Sequence, residues 1–297
     1  MYKLSDFTNC ANFKVVIDGE FSEIGMVDHD LPDMLSIYYD NKFLKKLNKN
    51  QRITAVITTP ELVYDLKKYS IAISNNPIES YYKIHNYLYK NTRHFGEEFE
   101  TTIGTNCILG ENAIIPNKNV VIGNNCVIED FVTIYENTII GNNVKIASGT
   151  RVGCIGFETK FIAGQHMIIP HAGKVFLNDN VEICANCTIA RGLGRVNTVI
   201  GESCKIDTLV HVAHGVNIGS NVLLASGVTV SGSVKIGNNV WVGPSATISN
   251  GIQICNNAKI TIGSTVIKDV ESHGHVTGYF AINHKDFIKQ KYKISKI

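Results

Sequence analysis

The residue types best suited to chemistry in this 297-residue chain are a few histidines, an aspartate and a glycine at regular spacing. His211 and His214 lie three apart, Asp207 precedes them, and Gly232 follows His214 by eighteen residues. Imidazole titrates where a proton can be taken up and returned near neutral pH, which suits a general base. His166 and His171 sit in or beside a stretch where the local pattern breaks, and are candidates to touch a substrate. Near the start, Tyr38, Tyr39 and Phe43 surround Asp40, and aromatic rings of this kind can stack on a base. Cys184 and Cys187 have CxxC spacing, the mark of a metal or redox pair.

The elements that must position these groups follow from a period of six. From Ile200, every sixth residue through Ile254 is aliphatic, and the next residue is usually small or polar. A helix would scatter such positions around its surface, and a plain strand would alternate every second residue. Period six predicts a solenoid in which each hexad is one short strand and one turn. The pattern starts at Ile103, Leu109 and Ile115, slips by one residue, and runs from Ile122 to Val152. It breaks from Cys154 to about Ala172, returns at Leu177, Ile183 and Ile189, breaks again from Arg191 to Val199, and is lost after Ile262. Both breaks predict loops leaving a rigid prism, where sites tend to be built. Asn124-Asn125, Asn142-Asn143 and Asn238-Asn239 fall at corners and suit positive φ. Cys107, Cys126, Cys187 and Cys204 each follow a guide aliphatic by four, so they are expected as small inward side chains, and Cys184 should point elsewhere.

Residues 1–100 lack this period. Leu35–Tyr39, Ile53–Thr59 and Ser70–Ser74 read as strands, Lys42–Leu47 as a short helical turn, and Ile78–Leu88 as a helix after Asn76-Pro77. The predicted layout is a small α/β domain over 1–100, the prism over 101–275, and a basic helical tail over 276–297, with the two ends capping the prism. Lys and Arg total 28 against 26 Asp and Glu, which argues against a dedicated nucleic-acid surface. Neither a signal-peptide core nor a membrane-length apolar run is evident, and free thiols fit a reducing compartment, so a cytoplasmic protein is expected.

Gly153-Cys-Ile-Gly-Phe, Ile169-Pro-His-Ala-Gly, Val181 to Gly192 and Ile206-Asp-Thr-Leu-Val-His-Val-Ala-His, with Leu35 to Phe43, carry a resemblance. The chain resembles the UDP-3-O-acylglucosamine N-acyltransferase (LpxD) family, homotrimers of left-handed parallel β-helices. The resemblance implies His214 as general base in acyl transfer to an amine and Gly232 as its oxyanion-facing neighbour one coil on. It places Asp207 near the sugar, and Tyr38, Asp40 and Phe43 in a uridine-binding region. His211 stands where the family has Gln, which points to a substrate-edge or structural role rather than catalysis. It further implies acyl-CoA or acyl carrier protein as donor, and no metal. Ile155 and Ala190 replace two family aspartates, Gly251 a family histidine, and Asp40 an asparagine. The expected acceptor is therefore another nucleotide-linked amino sugar, with UDP-3-O-acylglucosamine as runner-up. The short lysine-rich tail favours acyl-CoA over a carrier protein. Against this stand a zinc hydratase, which needs three converging histidines, a nucleotidyltransferase, whose larger nucleotide domain is missing, and a purely structural solenoid.

Overall fold

In a computed structural model describing residues 1–278, 281, 284–286, 288 and 289, hexads become strands of two to four residues on three faces of a prism. The faces carry eight, nine and seven strands, and every pairing along them is parallel. Guide aliphatics stack inward: Ile206 pairs with Leu224, Leu224 with Val242, and Val242 with Ile260. They form one continuous buried core from Val120 to Val270. Corner asparagines Asn125, Asn143 and Asn239 adopt φ of 58°, 57° and 56°. Their preceding neighbours build ladders, with Asn142 Oδ1 accepting from the Asn124 amide at 2.9 Å and Asn256 Oδ1 from that of Asn238 at 2.8 Å. Such side chains bond well at turns, so one residue type serves both the conformation and the hydrogen bond.

All eight cysteines are free. Cys126, Cys187 and Cys204 are buried, and their thiols donate to backbone carbonyls of the next coil, Gly141, Asp207 and Gly219, at 3.0–3.1 Å. Burial pushes the Cys187 and Cys204 thiols up to about 11. Cys184 is exposed on a different heading, so the CxxC spacing does not make a pair.

The first hundred residues hold a five-stranded sheet in the order 14–17, 70–73, 53–58, 34–38, 23–24. Only the 14–17 strand runs antiparallel. A short helix α1 (Leu44–Lys49) and a long helix α2 (Pro77–Asn91) flank it. Asn76 caps α2 by accepting from the Glu79 amide, and Pro77 starts it, as the sequence signals.

Two expectations are corrected here. This domain does not cap the open end of the prism. Ile103 and Leu109 of the first coil stay 43% and 40% exposed. Instead it docks sideways: Ile162, Ile169 and Leu193, from the two stretches that leave the prism, join its core. The six-residue frame also does not end at Ile262: a strand at Thr265–Val266 follows, and the prism runs to His275–Val276, close to the end expected at 275. Val266 falls on the same six-residue frame. Of the expected tail over 276–297, most lies outside the described residues; 284–286 and 288–289 are helical.

Candidate active site

One corner of the prism, between the seven-stranded and eight-stranded faces, gathers the candidate groups. His214 lies there between strands His211–Val212 and Asn217–Ile218, and Gly232 lies one coil on, between Thr229–Val230 and Lys235–Ile236. The Ser233 amide donates to the His214 carbonyl at 2.9 Å, which ties the two coils together. The imidazole rests against Gly232: a Cβ at that position would lie 2.7 Å from Cε1 and 2.8 Å from Nε2. Real side chains do not come so close, so the glycine is a steric requirement of the histidine's placement.

Both stretches that break the period leave and re-enter at this same corner. The first is a β-hairpin, Thr159–Ile162 against Gln165–Ile168, turning at Ala163 and Gly164 with positive φ at both. It is pinned to α2: the Asn86 amide donates to Met167 Sδ at 3.3 Å, and the Lys160 ammonium sits 5.4 Å above the Tyr82 ring. The second stretch holds Arg195, which pairs with Glu23 at 3.0 Å and donates to the His94 carbonyl. The α/β domain is thereby fixed over the histidine corner.

A cleft of about 830 Å³ opens there, lined by His214, His211, Gly232, Ile155, Phe157 and Tyr89 among others. His171 backs it. Its ring is fully buried, 5.3 Å from that of His214 and nearly perpendicular to it. His171 Nδ1 lies 2.8 Å from the Ile169 carbonyl, which accepts and therefore fixes the proton on Nδ1. Nε2 is then a bare acceptor, buried with no hydrogen-bond partner among the described residues. Burial holds His171 down to about 4. Burial also lowers His214, opposed by Glu158 and assisted by Lys160. An imidazole shifted this way stays neutral at pH 7, the state a base needs.

Glu158 and Lys160 were not singled out in the sequence. Glu158 Oε2 lies 3.8 Å from His214 Nε2, while Oε1 is held 2.5 Å from Lys160 Nζ. The available signal was the alternation Glu158-Thr-Lys160 before Ala163-Gly164, a hairpin pattern that puts both side chains on one face. Tyr82 and Tyr89 come from α2, seven residues apart on one helix side. Burial raises the pKa of the Tyr82 hydroxyl, with the Glu158 and Tyr39 charges adding to it.

Other expected site residues fall elsewhere. Asp207 is not beside His214. It lines a separate hollow of about 310 Å³ on another face, with Lys205, Leu223 and Trp241, and accepts from the Thr208 amide at 2.7 Å. Tyr38 cannot stack on a base, because it is fully buried with its hydroxyl 2.7 Å from Asn41 Oδ1. Asp40 caps the next turn, accepting from the Lys42 amide at 2.9 Å and pairing with its ammonium at 2.8 Å. Phe43 is partly buried and faces Tyr39, with ring centroids 5.5 Å apart. His166 lies on the exposed face of the hairpin against Phe161. Among the described residues no three His, Cys, Asp or Glu side chains converge to hold a metal ion. No described helix is long and apolar enough to cross a membrane.

Comparison with known proteins agrees with the repeat and the fold. The bacterial transferase hexapeptide model matches residues 119–154 and 197–232, and the hexapeptide repeat of succinyl-transferase matches 100–136 and 233–268. A UDP-3-O-acylglucosamine N-acyltransferase 2 of Legionella pneumophila is 49% identical over 154 residues, 52% of this chain and 45% of that protein. A UDP-3-O-acylglucosamine N-acyltransferase of Methylorubrum extorquens is 45% identical over 96 residues, 32% of this chain and 27% of that protein. The chain thus spans less than half the length of these curated relatives. Among solved structures, UDP-N-acetylglucosamine acyltransferase from Campylobacter jejuni superposes with a TM-score of 0.55 at 23% identity, over 65% of this chain and 79% of its own. That of Bacteroides fragilis gives 0.54 at 24% identity, over 64% and 74%. In repeat, fold and matched segments, the chain is a left-handed hexapeptide-repeat β-helix protein of the kind found in the UDP-3-O-acylglucosamine N-acyltransferases, which it resembles.

Proposed function

We propose that the protein is an N-acyltransferase, moving an acyl group from a thioester to the amino group of a nucleotide-linked amino sugar. The observation that carries this reading is the His214 imidazole, pressed against the backbone of Gly232 in a cleft beneath the α/β domain and biased by burial towards its neutral form. In the reaction, the amine nitrogen attacks the thioester carbonyl carbon. A carbon–nitrogen bond forms and His214 takes an N–H proton. The oxyanion collapses, the carbon–sulfur bond breaks, and His214 returns the proton to the thiolate, leaving amide and thiol. Gly232 brings backbone rather than side chain to the reacting carbon, where an amide N–H would stabilise the oxyanion.

For the sugar, the names of the relatives favour the runner-up of the sequence analysis, a UDP-linked glucosamine derivative, over an unrelated deoxyamino sugar. The exposed edge of the Tyr39–Phe43 pair is the surface for the base, in place of Tyr38. Acyl carrier protein and acyl-CoA are both compatible donors. The reading includes a homotrimer, in which a neighbouring copy would close the cleft and bring a face such as that bearing Asp207 to it. The test uses the purified full chain with UDP-glucosamine or UDP-3-O-acylglucosamine, and acetyl-CoA, 3-hydroxybutyryl-CoA or long-chain acyl carrier protein. Thiol release coupled to an N-acyl product by mass is expected with one donor. Absence of thiol release with every pair would refute the reading.

A further inference from the structure

We infer that Glu158 is the second acceptor for the substrate's amino group, and that it sets the preference for an amine over a hydroxyl. The inference rests on the acyltransfer reading and goes beyond it by naming the group that reads the nucleophile. Glu158 Oε2 and His214 Nε2 are 3.8 Å apart, too far to bond each other but close enough for one nitrogen to lie about 2.9 Å from both. The carboxylate is not free to turn away, because Lys160 holds Oε1 at 2.5 Å and is itself seated over the Tyr82 ring. The hairpin bearing both is fixed at its far strand, where the Ile169 amide donates to the Glu158 carbonyl at 2.8 Å. His214 is equally fixed, with Gly232 beneath it and His171 edge-on beside it.

The chemistry follows from counting hydrogens. A neutral amine has two N–H bonds and one lone pair. With one N–H given to Glu158 and the other to His214, only the lone pair remains to meet an electrophile, so the arrangement aims the nucleophile. A hydroxyl has one O–H and can satisfy only one of the two acceptors, leaving the other unpaired in a half-buried site. Sites built to accept an N–H reject analogues that cannot supply it.

The experiment measures binding of UDP-glucosamine and UDP-glucose to the full chain by calorimetry at pH 8.5, where the two sugars differ only in amine against hydroxyl. The native protein is expected to prefer the amine by about tenfold or more, the usual size of a hydrogen bond to a charged group. In Glu158→Gln, Lys160 attracts the amide oxygen and leaves the amide NH₂ at the place where the substrate's amine would give its N–H, a donor against a donor. That variant should lose the preference to about twofold, with an unchanged far-ultraviolet circular dichroism spectrum showing that it is folded. Glu158→Asp, which keeps the charge, should recover part of it. Equal weakening of both sugars in Glu158→Gln would mean that Glu158 merely supports the fold or His214, and would overturn the inference. So would an unchanged preference. A native chain that binds neither sugar would instead sink the nucleotide-sugar reading, and the inference with it.

Discussion

Replacing Gly232 with alanine isolates the placement of His214 from the stability of the prism. Backbone strain is not the issue, because Gly232, unlike Gly263, does not adopt positive φ. The new Cβ would lie 2.7 Å from Cε1 of His214, whereas carbon atoms in contact sit about 3.5 Å apart. The imidazole must therefore retreat by about 0.8 Å, or the corner must open by as much. A displacement near 1 Å from productive geometry costs on the order of 10²-fold in rate. Stability should stay within about 1 kcal/mol, since alanine also restrains the unfolded chain. Gly263→Ala is the matched control: its φ is +65° and nothing lies within 4 Å of its Cβ. It should lose about 1–2 kcal/mol with kcat unchanged. The assay is thiol release at saturating donor and acceptor, with thermal melting on the same samples. Full kcat in Gly232→Ala, or a loss matched by an equal loss in Gly263→Ala, would refute the steric reasoning.

Further outcomes are expected. His214→Ala should lower kcat by about 10²-fold or more with little change in melting temperature, while His211→Gln stays mild; equal losses in both, measured by the same thiol assay, would mean the wrong base. Phe43→Ala should raise KM for the nucleotide sugar more than it lowers kcat, because stacking on a remote base is uniform binding, and steady-state kinetics would show a kcat-only effect if the base binds elsewhere. His171 and His94 are both buried and held down to about 4, so the unfolded chain binds those protons more readily. Their contribution is full above about pH 6.5 and is lost as pH falls towards 4, of order 3 kcal/mol each. Denaturant titrations of His171→Gln should show a shallower decline across that window, and an unchanged slope would contradict it. Sedimentation should give a trimer; a stable, active monomer would remove the neighbour's role at the cleft.

The prism was legible because its code is local. A hexad needs only an inward aliphatic, a small companion and a turn residue, so each coil declares itself within six residues, and Asn125, Asn143 and Asn239 mark corners by their tolerance of positive φ. The same register places Gly232 under His214, since residues eighteen apart stack when three hexads close a coil. The resemblance supplied the role proposed for His214, which periodicity alone does not assign. What the tertiary structure decided are contacts between segments that share no period. Glu158 reaches His214 across fifty-six residues because a hairpin folds back over the corner, and Lys160 is oriented by Tyr82 on a helix of the first domain. Tyr38 alternates into its sheet and is lost to the core, leaving Tyr39 beside Phe43, while Asp207 turns onto another face of the prism. The side-chain direction of a loop or edge residue depends on what docks against it, and docking is a property of surfaces that only the assembled fold brings together.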